Sequence, residues 1–188
     1  MKRFMAVLLA LMAMMIPSFA DLSAEEGTEQ VVLSSEIVLG GGDNPTTFIV
    51  RDENGEGYWE IEIIDEPVYS PQYEADWGYT SFNKTVSCTY NDSGNSNIAR
   101  MSARFSGYCN SGGAGLTSVS NGTISSYSYN ATGSSYYEIL QSHSTSSSAA
   151  HARYRQICSP VGGGESRPIS LHVYLSSTGH ATVTITIG

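Results

Sequence analysis

Residues 171–187 read LHVYLSSTGHATVTITI, and this stretch decides the fold class. Apolar and polar residues alternate on both sides of residues 177–179, and a period of two is typical of a β-strand with one buried face. A three-residue loop with glycine at the left-handed position pairs Leu175 with Ala181. The stretch therefore predicts an antiparallel hairpin. The opposite face of this hairpin carries His172, which we expect at the surface.

The same alternation recurs from about residue 46 to the end of the chain, and no window shows a convincing helical period. A first strand is predicted at residues 31–39, and a hairpin joins residues 47–51 to residues 58–64. Further strands are predicted near residues 84–90, 97–108, 122–129, 135–142, 149–158, 168–176 and 180–187. The sequence thus predicts an all-β chain, an antiparallel β-sandwich with an immunoglobulin-like or jelly-roll-like layout.

The amino-terminal segment predicts the compartment. Lys2 and Arg3 precede an apolar run that ends in small residues near Ala20, which is typical of a secretory signal peptide at residues 1–20. A flexible leader at residues 21–30 and a single domain at residues 31–188 are predicted to follow. We expect a secreted protein, extracellular or periplasmic, with no stable membrane anchor because no second hydrophobic span occurs.

Charge limits the partners that the chain can bind. Nine basic residues stand against eighteen acidic ones, and the formal net charge is -9. A protein that binds nucleic acid neutralises phosphates with lysine and arginine, so this composition argues against a nucleic-acid partner. The oligomeric state is left open by the sequence.

Three cysteines, Cys88, Cys109 and Cys158, are all that the chain contains. In an oxidising compartment two of three cysteines are expected to pair. Cys109 and Cys158 each close a strand-like run before a glycine-rich loop, so the sequence favours a disulfide between them. Cys88 alternates with polar neighbours and is predicted to be a buried thiol.

Aromatic residues gather between Pro67 and Phe82, where the alternation stops. Tyrosine and tryptophan have flat apolar faces and polar edges, so an exposed cluster can stack on sugar rings or anchor a protein partner. Packing at one end of the sandwich is the alternative explanation. The ligand-binding residues predicted from this aromatic loop are Tyr69, Tyr73, Trp77 and Tyr79.

Catalytic and metal-binding motifs are weak. Cys158 or Ser93 with His151 could form the nucleophile and base of a hydrolase, but the spacing is not diagnostic of one. No cofactor is predicted, although oxygen ligands in the loop after Arg51 leave weak calcium binding open. That loop resembles only the first half of a helix-loop-helix calcium motif. Its candidate ligands are Asp52, Asn54 and Glu56.

A non-catalytic binding or interaction module is the function that the sequence favours. Its predicted partner is a glycan or an extracellular protein, recognised through the aromatic loop. The alternatives are a secreted hydrolase that uses a cysteine or serine nucleophile with His151, and a structural or toxin-like secreted β protein.

Overall fold

Ten β-strands and no helix occur in the part of the chain that the computed structural model describes, namely residues 30–39, 46–51, 57–65, 80–92, 94 and 98–188. The predicted all-β class is confirmed. The described part therefore also contains no helix that could cross a membrane. The strands are β1 Gln30–Val38, β2 Thr46–Arg51, β3 Gly57–Asp65, β4 Thr80–Asp92, β5 Ala99–Asn110, β6 Gly113–Ser126, β7 Tyr129–Gln141, β8 Ala150–Pro160, β9 Arg167–Leu175 and β10 His180–Ile187.

The strands form two antiparallel sheets of five. The first sheet has the order β1-β10-β9-β8-β7, and the second has the order β2-β3-β4-β5-β6. Alternate residues of both sheets contribute to one hydrophobic core, for example Leu171 and Val173 from the first sheet and Val86 and Phe105 from the second. Burial of such side chains contributes about 1.5 to 3 kcal/mol each. The two layers are therefore held together chiefly by this shared apolar interior.

The carboxyl-terminal hairpin has the predicted register. Leu175 pairs with Ala181, and the amide of Ser176 donates to the carbonyl of His180 at 2.8 Å. Gly179 has a φ of 84°, the left-handed conformation that the three-residue loop requires. The predicted inner face is also confirmed. It carries Leu171, Val173, Leu175, Ala181, Val183 and Ile185, all of which are buried.

Backbone hydrogen bonds join the two sheets along one lateral side, where β6 meets the residues that follow β7. The amide of Leu116 donates to the carbonyl of Ser142, and the amide of Ser144 donates to the carbonyl of Ala114, both at 2.9 Å. The chain crosses from the second sheet to the first just after Ser126. On the other lateral side, β1 and β2 are the edge strands of their respective sheets.

The boundaries of β6 differ from the prediction. We expected a strand from residue 122, but β6 begins at Gly113 because small residues permit a close approach between β5 and β6. A Cβ atom on Gly107 would lie 2.2 Å from the carbonyl oxygen of Gly115. The connection between β6 and β7 lies at residues 127–128, whereas the predicted strands near residues 122–129 and 135–142 placed it after residue 129.

The predicted Cys109–Cys158 disulfide is wrong, because all three cysteines are free thiols. Cys109 lies at the end of β5 in the second sheet and pairs with Thr80, whereas Cys158 lies on β8 in the first sheet and pairs with Arg167. Those strand ends belong to opposite ends of the molecule. Cys88 is fully buried, as expected, and burial raises the pKa of its thiol to about 12.

Candidate functional site

An apolar cavity of about 240 Å³ lies between the two sheets at one end of the molecule. The first sheet contributes Ile169, Ile185 and Ile187 to its wall, and the second contributes Met101 and Ile124. Protein interiors normally contain few voids larger than a water molecule. A hollow of this size between apolar side chains is therefore a place where packing stops short of completion. We call it the cavity.

Aromatic side chains complete the wall of the cavity. Trp59 on β3 and Tyr90 on β4 are direct partners in the strand pairing, and their ring centroids lie 5.1 Å apart at an angle of 49°. Gly57, two residues before the tryptophan, leaves the room that the tyrosine occupies, because a Cβ atom there would lie 2.3 Å from the hydroxyl oxygen of Tyr90. Tyr129, the first residue of β7, also lines the cavity.

A groove of about 490 Å³ opens beside the cavity, between the edge strands β1 and β2. Val32, Trp59 and Tyr90 line both hollows, so the cavity and the groove are neighbours that share one wall. The groove is more polar than the cavity. Its described lining residues are Gln30, Val31, Val32, Leu33, Ser34, Val50, Arg51, Trp59 and Tyr90.

A second cluster of functional groups lies on the face of the first sheet that points away from the core. His151 and His172 are 3% and 4% exposed, and Nε2 of His151 lies 3.0 Å from Nδ1 of His172. The other nitrogen of His172 lies 3.1 Å from the hydroxyl oxygen of Thr186. The ring of Tyr174 stacks on that of His151 with 4.1 Å between centroids. The expectation that His172 is a surface histidine is therefore wrong.

Burial determines the protonation of this histidine pair. Desolvation, together with the smaller effects of the neighbouring His172 imidazole and of Arg153, lowers the pKa of His151 from 6.5 to about 3. Desolvation likewise lowers the pKa of His172 to about 4. Both rings are consequently neutral at pH 7. In that state one of the two facing nitrogens, Nε2 of His151 or Nδ1 of His172, carries a proton and donates it to the other in a hydrogen bond. The described residues contain no group of three or more histidine, cysteine or acidic side chains placed to hold a metal ion.

The hydrolase constellation expected from the sequence is not assembled in the described part of the chain. Cys158 is buried on the core face of β8, whereas His151 lies on the opposite face of the same strand and bonds to His172. Burial also raises the pKa of the Cys158 thiol, which keeps it protonated and a poor nucleophile. Ser93, the other proposed nucleophile, lies outside the described residues.

The ligand-binding residues predicted from the aromatic loop, Tyr69, Tyr73, Trp77 and Tyr79, lie outside the described residues, as do Asp52, Asn54 and Glu56. The described residues on either side of the aromatic loop are Asp65 and Thr80. They lie at the end of the second sheet that is remote from the cavity, because Asp65 pairs with Lys84 while Gly57 pairs with Asp92. Lys84 is buried there, with Nζ 3.0 Å from a carboxylate oxygen of Asp65.

Sequence reasoning missed the cavity, although part of its signal was visible. The alternation of β3 placed Trp59 on the core face beside Ile61 and Ile63, and the structure confirms that placement. Trp59 follows Gly57 on the inward face of β3, so it lies near one end of the core. The alternation did not indicate which residues of the first sheet face Trp59 across the interior.

Comparison with known proteins adds little to this description. No family model matches the chain, and no curated protein matches it. A solved structure to which it is similar is the hypothetical protein lmo2686 from Listeria monocytogenes EGD-e, with 16% sequence identity and a TM-score of 0.35. The match covers 77% of this chain and 97% of that chain. We infer neither a fold family nor a function from a likeness at that level.

Proposed function

We propose that the protein is a secreted, non-catalytic binding module that takes an apolar group of its ligand into the cavity. The observation that carries this proposal is the cavity itself, whose wall is built from both sheets and is lined mainly by isoleucine, valine, methionine and aromatic side chains. Binding sites for small molecules are typically concave and mostly apolar, with a few polar groups at the opening. Secretion rests on the signal-peptide pattern at residues 1–20.

The volume of the cavity indicates how large the apolar group of the ligand is. An engineered cavity of about 150 Å³ with apolar walls stays dry and binds benzene. At about 240 Å³ the cavity is larger, so an aromatic ring with a substituent or a short alkyl chain fits it. Water gains little there because few polar partners line the wall. Filling the cavity restores the contacts that its lining otherwise lacks.

Trp59 provides a direct readout of binding. In a Trp77→Phe background it is the remaining tryptophan of the chain, so its emission reports on the cavity wall. We expect a blue shift of this emission when small apolar compounds of a panel bind, and quenching of it by energy transfer when anilinonaphthalene sulfonate binds. The matched variants are Ala99→Leu, which adds volume to the cavity wall, and Ala131→Leu, which adds the same volume at an exposed position of β7.

Wild type and Ala131→Leu should bind alike, and Ala99→Leu should bind at least tenfold more weakly. Ile124→Phe fills the same space from β6 and guards against a folding defect in one variant. Circular dichroism and the unfolding midpoint establish that each variant is folded. Equal binding by folded Ala99→Leu, Ile124→Phe and wild type would show that the cavity is not the site.

Recognition of a glycan or an extracellular protein through Tyr69, Tyr73, Trp77 and Tyr79 stays a separate prediction from the sequence. Binding of the protein to a glycan array, compared with binding of folded Trp77→Ala, tests it. The immunoglobulin-like or jelly-roll-like layout is likewise part of what we propose. The two-sheet arrangement with a shared core supports a sandwich of this general kind.

A further inference from the structure

The cavity and the groove differ in polarity although they share a wall. The cavity is apolar, and Arg100, the one charged residue among the described residues that line it, uses its Nε to donate to the hydroxyl of Ser87 at 2.9 Å on the outer side of the second sheet. The groove has polar side chains at Gln30 and Ser34. A ligand that occupies both hollows would therefore have an apolar end and a polar end.

Arg51 supplies the charge in the groove. It is the last residue of β2, it is exposed, and it is the one charged side chain among the described residues that line the groove. A guanidinium group presents paired donors that match a carboxylate or a phosphate in a bidentate arrangement. Trp59 and Tyr90 line both hollows, so the groove that contains Arg51 and the cavity have an aromatic wall in common.

We propose that the ligand is a single-chain amphiphile with an anionic headgroup, whose chain lies in the cavity and whose headgroup is bound by Arg51 in the groove. This inference rests on the proposed function and adds the chemical class of the ligand. The carboxylate of a fatty acid and the phosphate of a lipid share the chemistry that the arginine recognises.

The overall charge of the protein makes the role of Arg51 easy to isolate. The chain carries a formal net charge of -9, so its long-range field repels anions rather than attracting them. Only a local contact can therefore favour an anionic headgroup over a neutral one. Removing that single contact should abolish the preference while leaving the apolar part of the binding energy in place.

The test compares three ligands that share one alkyl chain, namely decanoate, decanol and decyltrimethylammonium, by displacement of anilinonaphthalene sulfonate from the purified protein. The variants are Arg51→Gln and a matched control, Arg167→Gln, which removes an exposed arginine that lines neither hollow. We expect wild type and Arg167→Gln to bind decanoate at least tenfold more tightly than decanol. Arg51→Gln should lose this preference and bind decanol as wild type does.

Other outcomes overturn the inference. Equal binding of decanoate and decanol by wild type, tighter binding of the cationic amphiphile, or an unchanged preference in Arg51→Gln would each do so while leaving the proposed function intact. Failure of all three ligands and of the fluorescent probe to bind would instead overturn the proposed function. Sedimentation with vesicles that contain the single-chain lipid lysophosphatidylglycerol separates the sources, since Arg51-dependent binding there identifies a lipid phosphate, and its absence alongside decanoate binding identifies a free acid.

Discussion

Lowering the pH from 7 to 5 should destabilise the protein through the buried histidine pair. His151 and His172 titrate in the folded state with pKa values of about 3 and about 4, against 6.5 for an ordinary histidine. Because the folded-state pKa values are depressed, the unfolded chain binds protons first as the pH falls. The contribution of the neutral pair is complete above pH 6.5 and is lost progressively between pH 6.5 and the folded-state pKa values.

The magnitude follows from this difference in proton binding. Each pH unit below 6.5 costs about 1.4 kcal/mol of unfolding free energy for each imidazole that stays neutral only in the folded state. At pH 5 one imidazole therefore accounts for a loss of about 2 kcal/mol. Nε2 of His151 and Nδ1 of His172 are 3.0 Å apart, and since neither ring is protonated in the folded state at pH 5, the losses of the two imidazoles add to about 4 kcal/mol.

Urea unfolding followed by tryptophan fluorescence at pH 7 and pH 5 measures the loss. His180→Gln, which removes an exposed histidine, should lose as much stability as wild type. The double variant His151→Gln, His172→Gln should be less stable at pH 7 but nearly independent of pH over this interval. If the double variant loses as much stability as wild type between pH 7 and pH 5, the reasoning from burial is refuted.

Three further predictions concern packing and thiols. Gly122→Ala should destabilise the protein by about 1 to 3 kcal/mol through overpacking, since its Cβ atom would lie 2.3 Å from the ring of Tyr154. Thermal unfolding measures this loss. The control Gly94→Ala should show no such effect, because its Cβ atom meets nothing closer than 3.7 Å. Ser170→Ala should raise the unfolding free energy by about 1 kcal/mol, because its buried hydroxyl has no hydrogen-bond partner among the described residues; a lowered urea midpoint would contradict this. Thiol labelling of the native protein should modify Cys109 before Cys88, and labelling after unfolding without reductant should modify all three cysteines.

Sequence reasoning succeeded here where a pattern involves residues that are close along the chain, and it failed where the residues are far apart along the chain. The hairpin around Gly179 was predictable in register because its two strands are adjacent and each has a clear inner face. The Cys109–Cys158 disulfide was predicted from the similar position of both residues at strand ends. Position within a strand does not say which sheet the strand joins, so that inference had no spatial basis.

The candidate site was harder to predict for the same reason. Trp59, Tyr90 and Tyr129 come from three strands, and only the three-dimensional arrangement brings them to one cavity. The burial of His172 was missed because alternation assigns a residue to a face of a sheet and does not say what neighbours cover that face. His151, on the neighbouring strand β8, supplies both a hydrogen bond and a stacked partner.

The hydrogen bonds between β6 and the residues after β7 join the two sheets along one lateral side. On the opposite side the sheets end at β1 and β2, and the groove lies between these two edge strands. Amide exchange at Leu116 and Ser144 should therefore be slow, both in the free protein and with an apolar compound bound.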